Sequence, residues 1–203
     1  MVMQMNNNTA KSTLPKILLI ILIQSVFLML MIANRQAILS SDTTVVLETR
    51  PIDPRSLFRG DFVRLNYKIN ELQLDELSGD RSFKKNDTVY IALQKKNLYW
   101  YAEAVYHEKS DVKRNHQVFI RGVVKRVSNQ QWNEDTKSHK ELSSLQINYG
   151  IENYFVPEGE GLKLERPKAG DKVTLEIALD GEGHAAIKSL LLNGIRQYEE
   201  AVF

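Results

Sequence analysis

The feature that most constrains this chain is an uncharged apolar run over Ile17–Ala33. At about 1.5 Å per residue, a helix of this length reaches the short end of what crosses the hydrocarbon core of a bilayer. Gln24 and Ser25 are the only polar residues in the run. We therefore predict a transmembrane anchor over residues 17–35, preceded by a cytoplasmic segment of residues 1–16.

The charges on either side of this run indicate its orientation. Lys11 and Lys16 precede the run and Arg35 follows it, and positive residues favour the cytoplasmic side of a membrane. The rest of the chain is then expected on the extracytoplasmic side. A cleaved signal sequence is the alternative, although Met31-Ile-Ala33 matches poorly the small residues that a cleavage site requires.

Composition narrows the function classes for the rest of the chain. Lys and Arg total 27 against 25 Asp and Glu, a net charge of +2, so charge does not indicate a nucleic-acid partner. The chain contains no cysteine, which excludes disulfides, thiolate zinc sites and cysteine nucleophiles. With 43% hydrophobic residues, the part after the anchor can fold around a core of its own.

After Val45, most apolar residues recur at every second position, which is the period of strands with one buried face. The first long run of this kind alternates through Val63, Leu65, Tyr67 and Ile69. Turn-forming pairs precede three such runs, at Gly60-Asp61, Asn86-Asp87 and Gly170-Asp171. We therefore predict a mainly β fold behind one N-terminal transmembrane helix.

Two short segments have similar sequences, which indicates an internal repeat. Asn66-Tyr67-Lys68-Ile69 matches Asn148-Tyr149-Gly150-Ile151, and a predicted hairpin follows each segment, with turns at Lys95–Asn97 and Asp180–Gly183. We predict two related antiparallel β-modules, with chance similarity between amphipathic strands as the alternative. The predicted boundaries are residues 45–128 for the first module, residues 129–141 for a polar linker and residues 142–203 for the second module.

The segment Gly60-Asp61-Phe62-Val63-Arg64-Leu65-Asn66-Tyr67 resembles a bacterial family of membrane-anchored proteins that is named for the motif Gly-Asp-Tyr-x-x-Leu-x-Tyr. Leu47–Arg59 and Tyr149–Gly161 are also similar to that family, and Phe62 stands where the motif has tyrosine. The resemblance implies a single-pass protein of the bacterial inner membrane, with a periplasmic domain, that accompanies a multi-span membrane protein. It implies no particular activity.

We predict that this integral membrane partner contacts the motif region, because arginine and aromatic side chains are common in interfaces. The candidate interaction residues are Arg59, Gly60, Asp61, Phe62, Arg64, Leu65 and Tyr67. Guanidinium groups can also grip a carboxylate or a phosphate. The candidate anion-binding residues are Arg50, Arg55, Arg59 and Arg64. Ion pairing of these arginines with Asp53 and Asp61 is the alternative.

The sequence contains no recognisable catalytic constellation, and we predict neither a cofactor nor a metal site. The histidines, His107, His116, His139 and His184, lack the spacing of metal ligands. The segment Glu158–Gly161 lacks the dense acids of a calcium loop. One enzyme alternative is a signal-peptidase-like hydrolase with Ser56 as nucleophile and Lys125 as base, which requires a desolvated lysine.

The leading hypothesis is therefore a membrane-anchored extracytoplasmic accessory protein, a subunit of a membrane protein complex without catalytic activity of its own. The second hypothesis is a binding module for an anionic small molecule or envelope polymer, which would use the arginines named above. The first predicts association with an integral membrane protein. The second predicts that an anionic ligand stabilises the fold.

Overall fold

The computed structural model describes residues 7–50, 62–115, 118–128, 131–133, 138–140, 143–155 and 172–199. The chain forms two compact units, Met1–Ala37 and Ile38–Phe203. The fold is mainly β and has one N-terminal apolar helix, which confirms the predicted fold class.

The first unit contains most of helix α1 (Asn7–Leu39). Within the described residues, its segment Pro15–Leu39 is long and apolar enough to cross a membrane, either as an anchor or as a signal sequence. Large apolar side chains are exposed along it, and Met29 reaches 70% exposure. Such a surface is costly in water and suits a hydrocarbon environment. The apolar helix predicted over residues 17–35 is confirmed and is longer than predicted.

The second unit consists mainly of strands. In chain order its elements are β1 (Thr43–Glu48), β2 (Phe62–Arg64), a 3-10 turn (Lys68–Asn70), β3 (Glu71–Gln73), a second 3-10 turn (Leu74–Glu76), β4 (Ser78–Gly79), β5 (Thr88–Lys96), β6 (Tyr99–Tyr106), helix α2 (Lys109–Asn115), β7 (Phe119–Ser128), β8 (Gln131–Asn133), β9 (Ser138–Lys140), β10 (Ser144–Asn148), β11 (Asn153–Phe155), β12 (Val173–Leu179), β13 (Ala185–Leu192) and β14 (Ile195–Glu199).

Within the described residues these strands form two larger sheets and two small ribbons. The six-stranded sheet has the order β3-β10-β7-β5-β6-β4, and the four-stranded sheet has the order β1-β12-β13-β14. The ribbons pair β2 with β11 and β8 with β9. Neighbouring strands are antiparallel except β4 and β6, which pair in parallel.

Both predicted hairpins form, because each turn contains a residue that tolerates positive φ. Asn97, between β5 and β6, has φ +58°, and Gly183, between β12 and β13, has φ +81°. A Cβ at Gly183 would lie 2.8 Å from Cε2 of Phe119. Glycine is therefore required there both by the backbone conformation and by the close approach of a neighbouring ring.

The two larger sheets enclose one hydrophobic core. Along β10, Leu145 and Ile147 are buried while Gln146 and Asn148 are exposed, which is the alternation of a strand with one buried face. One cluster of buried apolar side chains includes residues from both sheets. Among them are Leu47 and Leu175 from the four-stranded sheet and Ile91 and Ile147 from the six-stranded sheet. The sheets therefore stabilise each other through shared apolar burial.

Each of the two larger sheets contains strands from both predicted modules. From the first module, β1 pairs with β12 of the second module. From the second module, β10 pairs with β3 and β7 of the first module. Part of the predicted linker, residues 129–141, forms the β8-β9 ribbon, because backbone pairing does not need apolar side chains. The division into two related modules stays a prediction.

Candidate functional site

Within the motif, Phe62–Arg64 form β2, whose partner strand β11 lies in the other segment that carries the family resemblance. Antiparallel pairing of β2 with β11 sets Arg64 opposite Asn153, and Val63 opposite Tyr154. For Phe62 and Arg64 the structure describes only the backbone. Two motif-like stretches far apart in the sequence are thus neighbours in the fold.

Four of the predicted site residues lie outside the described residues. They are Arg55, Arg59, Gly60 and Asp61. The interaction and anion-binding roles assigned to them stay predictions. The turn predicted at Gly170-Asp171 also lies outside the described residues. The turn at Asn86-Asp87 is confirmed, since Asn86 has φ +73° directly before β5.

Leu65 and Tyr67 end the motif, and both side chains are buried. The hydroxyl of Tyr67 donates a hydrogen bond to the carbonyl oxygen of Ile151 at 2.9 Å. In the opposite direction, the hydroxyl of Tyr149 donates to the carbonyl oxygen of Ile69 at 2.6 Å. The tyrosine hydroxyl of each repeat segment therefore donates a hydrogen bond to a backbone carbonyl of the other segment. We call Tyr67 and Tyr149 the crossed-tyrosine pair.

The residues three positions after these tyrosines accept from the tyrosine amides within their own segments and meet each other across the two segments. The Tyr67 amide donates to Oδ1 of Asn70 at 2.5 Å, and the Tyr149 amide donates to Oε1 of Glu152 at 2.6 Å. Nδ2 of Asn70 in turn donates to Oε1 of Glu152 at 3.0 Å. Buried amides are costly when they lack acceptors. These hydrogen bonds therefore fix the two segments against each other.

The crossed-tyrosine pair is a permanently neutral pair of donors. Burial raises the pKa of Tyr67 and of Tyr149 well above the ordinary value of 10.0, and the negative charge of Glu152 raises both further. Both hydroxyls consequently keep their protons at any physiological pH. Tyr67 is fully buried and Tyr149 is nearly so, so the described contacts of the motif tyrosine lie inside the fold.

Arg50 is the one predicted anion-binding arginine whose side chain the structure describes. Its Nη1 lies 2.5 Å from Oε2 of Glu71, and both side chains are partly exposed. Ion pairing was the alternative predicted for these arginines. The described partner of Arg50 is neither Asp53 nor Asp61. Arg50 is therefore already paired with a carboxylate, so the predicted anion site depends on Arg55, Arg59 and Arg64.

A buried carboxylate connects the segment after the motif with the six-stranded sheet. Oε2 of Glu48, at the end of β1, accepts hydrogen bonds at 2.8 Å from Nζ of Lys68 and at 2.8 Å from the hydroxyl of Tyr101. Burial alone would raise the pKa of Glu48. The hydrogen bonds from Lys68 and Tyr101, with the positive charges of Lys68 and Lys172, outweigh burial and hold that pKa below its ordinary value of 4.5.

This arrangement predicts an acid-dependent loss of stability. We expect Glu48→Gln to lower the free energy of unfolding at neutral pH by about 1–3 kcal/mol, because hydrogen bonds to a charged acceptor are the stronger ones. The folded-state pKa is depressed, so this stabilisation is present above the ordinary pKa and is lost as the pH falls through the folded-state pKa.

The measurement is denaturant unfolding of wild type and variant between about pH 7 and about pH 3, where their difference should shrink towards the acid end. Glu108→Gln, at an exposed position, is the matched control and should change little at either pH. A wild-type-to-Gln difference that does not change with pH would contradict the role given to the Glu48 charge.

The described histidines make structural contacts. Nδ1 of His184 lies 2.8 Å from Oδ2 of Asp180 in the β12–β13 turn, and Nε2 of His107 lies 2.8 Å from the carbonyl oxygen of Ser82. In the part of the chain that the structure describes, no three His, Asp or Glu side chains are grouped closely enough to hold a metal ion. Lys125 is exposed, whereas the hydrolase alternative requires a desolvated lysine, and Ser56 lies outside the described residues.

Comparison with known proteins gives one match that covers most of the chain. The family model described as GDYXXLXY protein matches residues 24–190, a range that begins inside α1 and ends inside β13. Neither the curated proteins nor the solved structures give a significant match.

Proposed function

Because this chain belongs to the GDYXXLXY protein family, we propose that it is a membrane-anchored accessory protein that acts by binding an integral membrane partner. The observation that carries this proposal is one apolar helix, exposed over residues 15–35, joined to a β unit whose described motif contacts are internal. Such a chain supplies an anchor and a rigid recognition surface.

The position of the family match supports a retained anchor rather than a cleaved signal sequence. The match begins at Gln24, inside the apolar helix, so the helix and the β unit belong to one matched region. Lys11 and Lys16 before the helix, against Arg35 after it, favour a cytoplasmic N-terminus. We propose that the β unit then lies on the periplasmic side of a bacterial inner membrane.

The burial of the end of the motif supports a partner contact at the charged residues of the motif region. Leu65 and Tyr67 anchor the end of the motif in the core, which reduces the conformational entropy that the neighbouring residues lose on binding. Arg59 and Arg64 are the motif residues whose long, charged side chains are typical of interface hot spots. Gln24, in the apolar helix, offers a second contact through a hydrogen bond within the membrane.

The test is co-purification of the full-length chain from membranes in a mild detergent. We expect the wild-type chain to retain a multi-span membrane protein in stoichiometric amount. The double variant Arg59→Glu with Arg64→Glu should retain at least roughly tenfold less of that protein, because the reversed charges repel a surface that was complementary. The matched control reverses two exposed charges outside the motif, Lys96→Glu with Arg114→Glu, and should retain the partner.

Two outcomes would overturn this proposal. One is a folded Arg59/Arg64 variant that retains the same partner in the same amount as wild type. The other is a wild-type chain that is recovered from membranes without any stoichiometric partner. Thermal unfolding of each purified variant, compared with wild type, shows whether a lost partner reflects a lost surface or a lost fold.

A further inference from the structure

A concave basic surface lies at one end of the β5–β7 pair. The surface is open, and four cations line it, Lys84, Lys85, Lys125 and Arg126. Its lining also includes the apolar side chains of Phe83 and Val127. We call this surface the basic groove.

Backbone hydrogen bonds hold the two halves of the basic groove together. The Asn86 amide donates to the Val124 carbonyl oxygen at 2.8 Å, and the Val124 amide donates to the Asp87 carbonyl oxygen at 2.9 Å. The segment that carries Lys84 and Lys85 is thereby joined to β7 directly beside Lys125. The groove is consequently a fixed feature of the sheet, which lowers the entropy cost of binding.

The turn before β5 is itself braced. Oδ2 of Asp87 accepts a hydrogen bond from the Lys84 amide at 2.7 Å, and Asn86 adopts φ +73°. Asparagine tolerates this left-handed conformation better than most residues. The Asp87 side chain thus caps the turn from within, and the lysine side chains remain exposed around it.

The charges of the basic groove are not neutralised within the described residues. All four cationic side chains are exposed there, and none of them forms an ion pair with a described acidic residue. By contrast, Arg50 pairs with Glu71 and Arg196 pairs with Glu176. Four like charges around one concavity repel one another and focus a positive potential into it. An anion in the groove relieves that repulsion.

We propose that the basic groove binds a phosphate-bearing polyanion. Phosphate matches these cations because a guanidinium group can donate two parallel hydrogen bonds to two phosphate oxygens. The lysine ammonium groups add flexible point charges around the phosphate. Several cations spread over one open surface favour a ligand with several phosphate charges over a single small anion. An anionic lipid headgroup and a soluble phosphorylated polymer share this chemistry. This inference does not depend on the partner contact proposed at Arg59 and Arg64.

The experiment uses the full-length chain in neutral detergent, with two probes. The first is inorganic tripolyphosphate in solution, and the second is the same micelles doped with phosphatidylglycerol. We expect at least one probe to bind, and binding to weaken at least about tenfold in Lys84→Glu with Lys85→Glu and in Lys125→Glu with Arg126→Glu. The matched control is Lys95→Glu with Lys96→Glu, an exposed lysine pair at the other end of β5.

Each outcome decides the proposal. Binding of tripolyphosphate alone supports a soluble phosphorylated ligand, whereas binding of doped micelles alone supports a lipid headgroup. Equal weakening in the groove variants and in the Lys95/Lys96 control would show attraction by overall charge and would overturn the proposal. The proposal would also be overturned if neither probe bound to a folded wild-type chain. Melting temperatures of the charge variants, close to that of wild type, verify that the fold is retained.

Discussion

Tyr67→Ala is expected to lower the free energy of unfolding of the β unit by about 3–5 kcal/mol, the range for removing a large buried ring. The ring is fully buried at 0% exposure and its hydroxyl satisfies the Ile151 carbonyl. Alanine would leave both a cavity and an unpaired carbonyl. Since small domains are stable by only about 5–15 kcal/mol, this single change removes a large share of the total.

The measurement is chemical denaturation of the full-length chain in detergent, followed by tryptophan fluorescence. Tyr99→Ala is the matched control, because Tyr99 is a half-buried tyrosine on β6. The control should cost less than Tyr67→Ala, since a half-buried ring loses less apolar burial than a fully buried one. A loss at Tyr67 no larger than the loss at Tyr99 would contradict the structural role that we assign to the motif tyrosine.

Phenylalanine substitutions separate the hydroxyl from the ring in the same experiment. Tyr67→Phe and Tyr149→Phe should each cost about 1–3 kcal/mol, because each leaves one buried carbonyl without its donor. The reciprocal geometry makes the two losses similar in size. If one substitution were neutral while the other was costly, the two segments would not be equivalent and the repeat interpretation would lose its main structural support.

Leu22→Arg combined with Met29→Arg is expected to remove the chain from the membrane. Both side chains are well exposed on α1, at 60% and 70%, and each arginine near the centre of a transmembrane helix costs roughly 2.5–3.5 kcal/mol on insertion scales. The measurement is the fraction of protein that stays in the membrane pellet after alkaline extraction. Wild type should remain in the pellet, and the double variant should move to the supernatant.

Two controls make this result specific. Leu98→Arg, at a residue that is 71% exposed in the β unit, adds the same kind of charge outside the helix and should leave the pellet fraction unchanged. N-terminal sequencing of the wild-type protein from the pellet distinguishes a retained anchor, which still begins with residues 1–16, from a cleaved signal sequence. A double variant that remained in the pellet would contradict the membrane role of α1.

Local patterns in the sequence predicted the elements of this fold. The uncharged run Ile17–Ala33 predicted the apolar helix, and period-two alternation predicted the strands after Asn86-Asp87 and Gly170-Asp171, which are β5 and β12. Asn97 and Gly183 marked the hairpin turns. Each of these features depends on residues within one turn or one strand, where backbone geometry and the side-chain period decide the outcome. Such features can be predicted without knowledge of the rest of the chain.

The role of the motif tyrosine was decided by the tertiary structure. Its surrounding sequence suggested a contact with a partner protein, and Tyr67 instead donates to Ile151, which lies 84 residues later in the chain. The similar segments at Asn66 and Asn148 were the available signal, since they showed that the two regions are alike. Likeness alone does not reveal that the two segments exchange hydrogen bonds across a shared core.

The basic groove also depends on tertiary structure that the sequence does not reveal. Lys84-Lys85 and Lys125-Arg126 are ordinary charged pairs in the sequence, and only the register of β5 against β7 brings them around one concavity. That register is set by which apolar faces fit together when the whole sheet forms. The sequence by itself therefore determined the helix, several strands and the hairpin turns, although the run through Ile69 is a strand only as far as Arg64. The pairing of distant strands decided which cations share a surface.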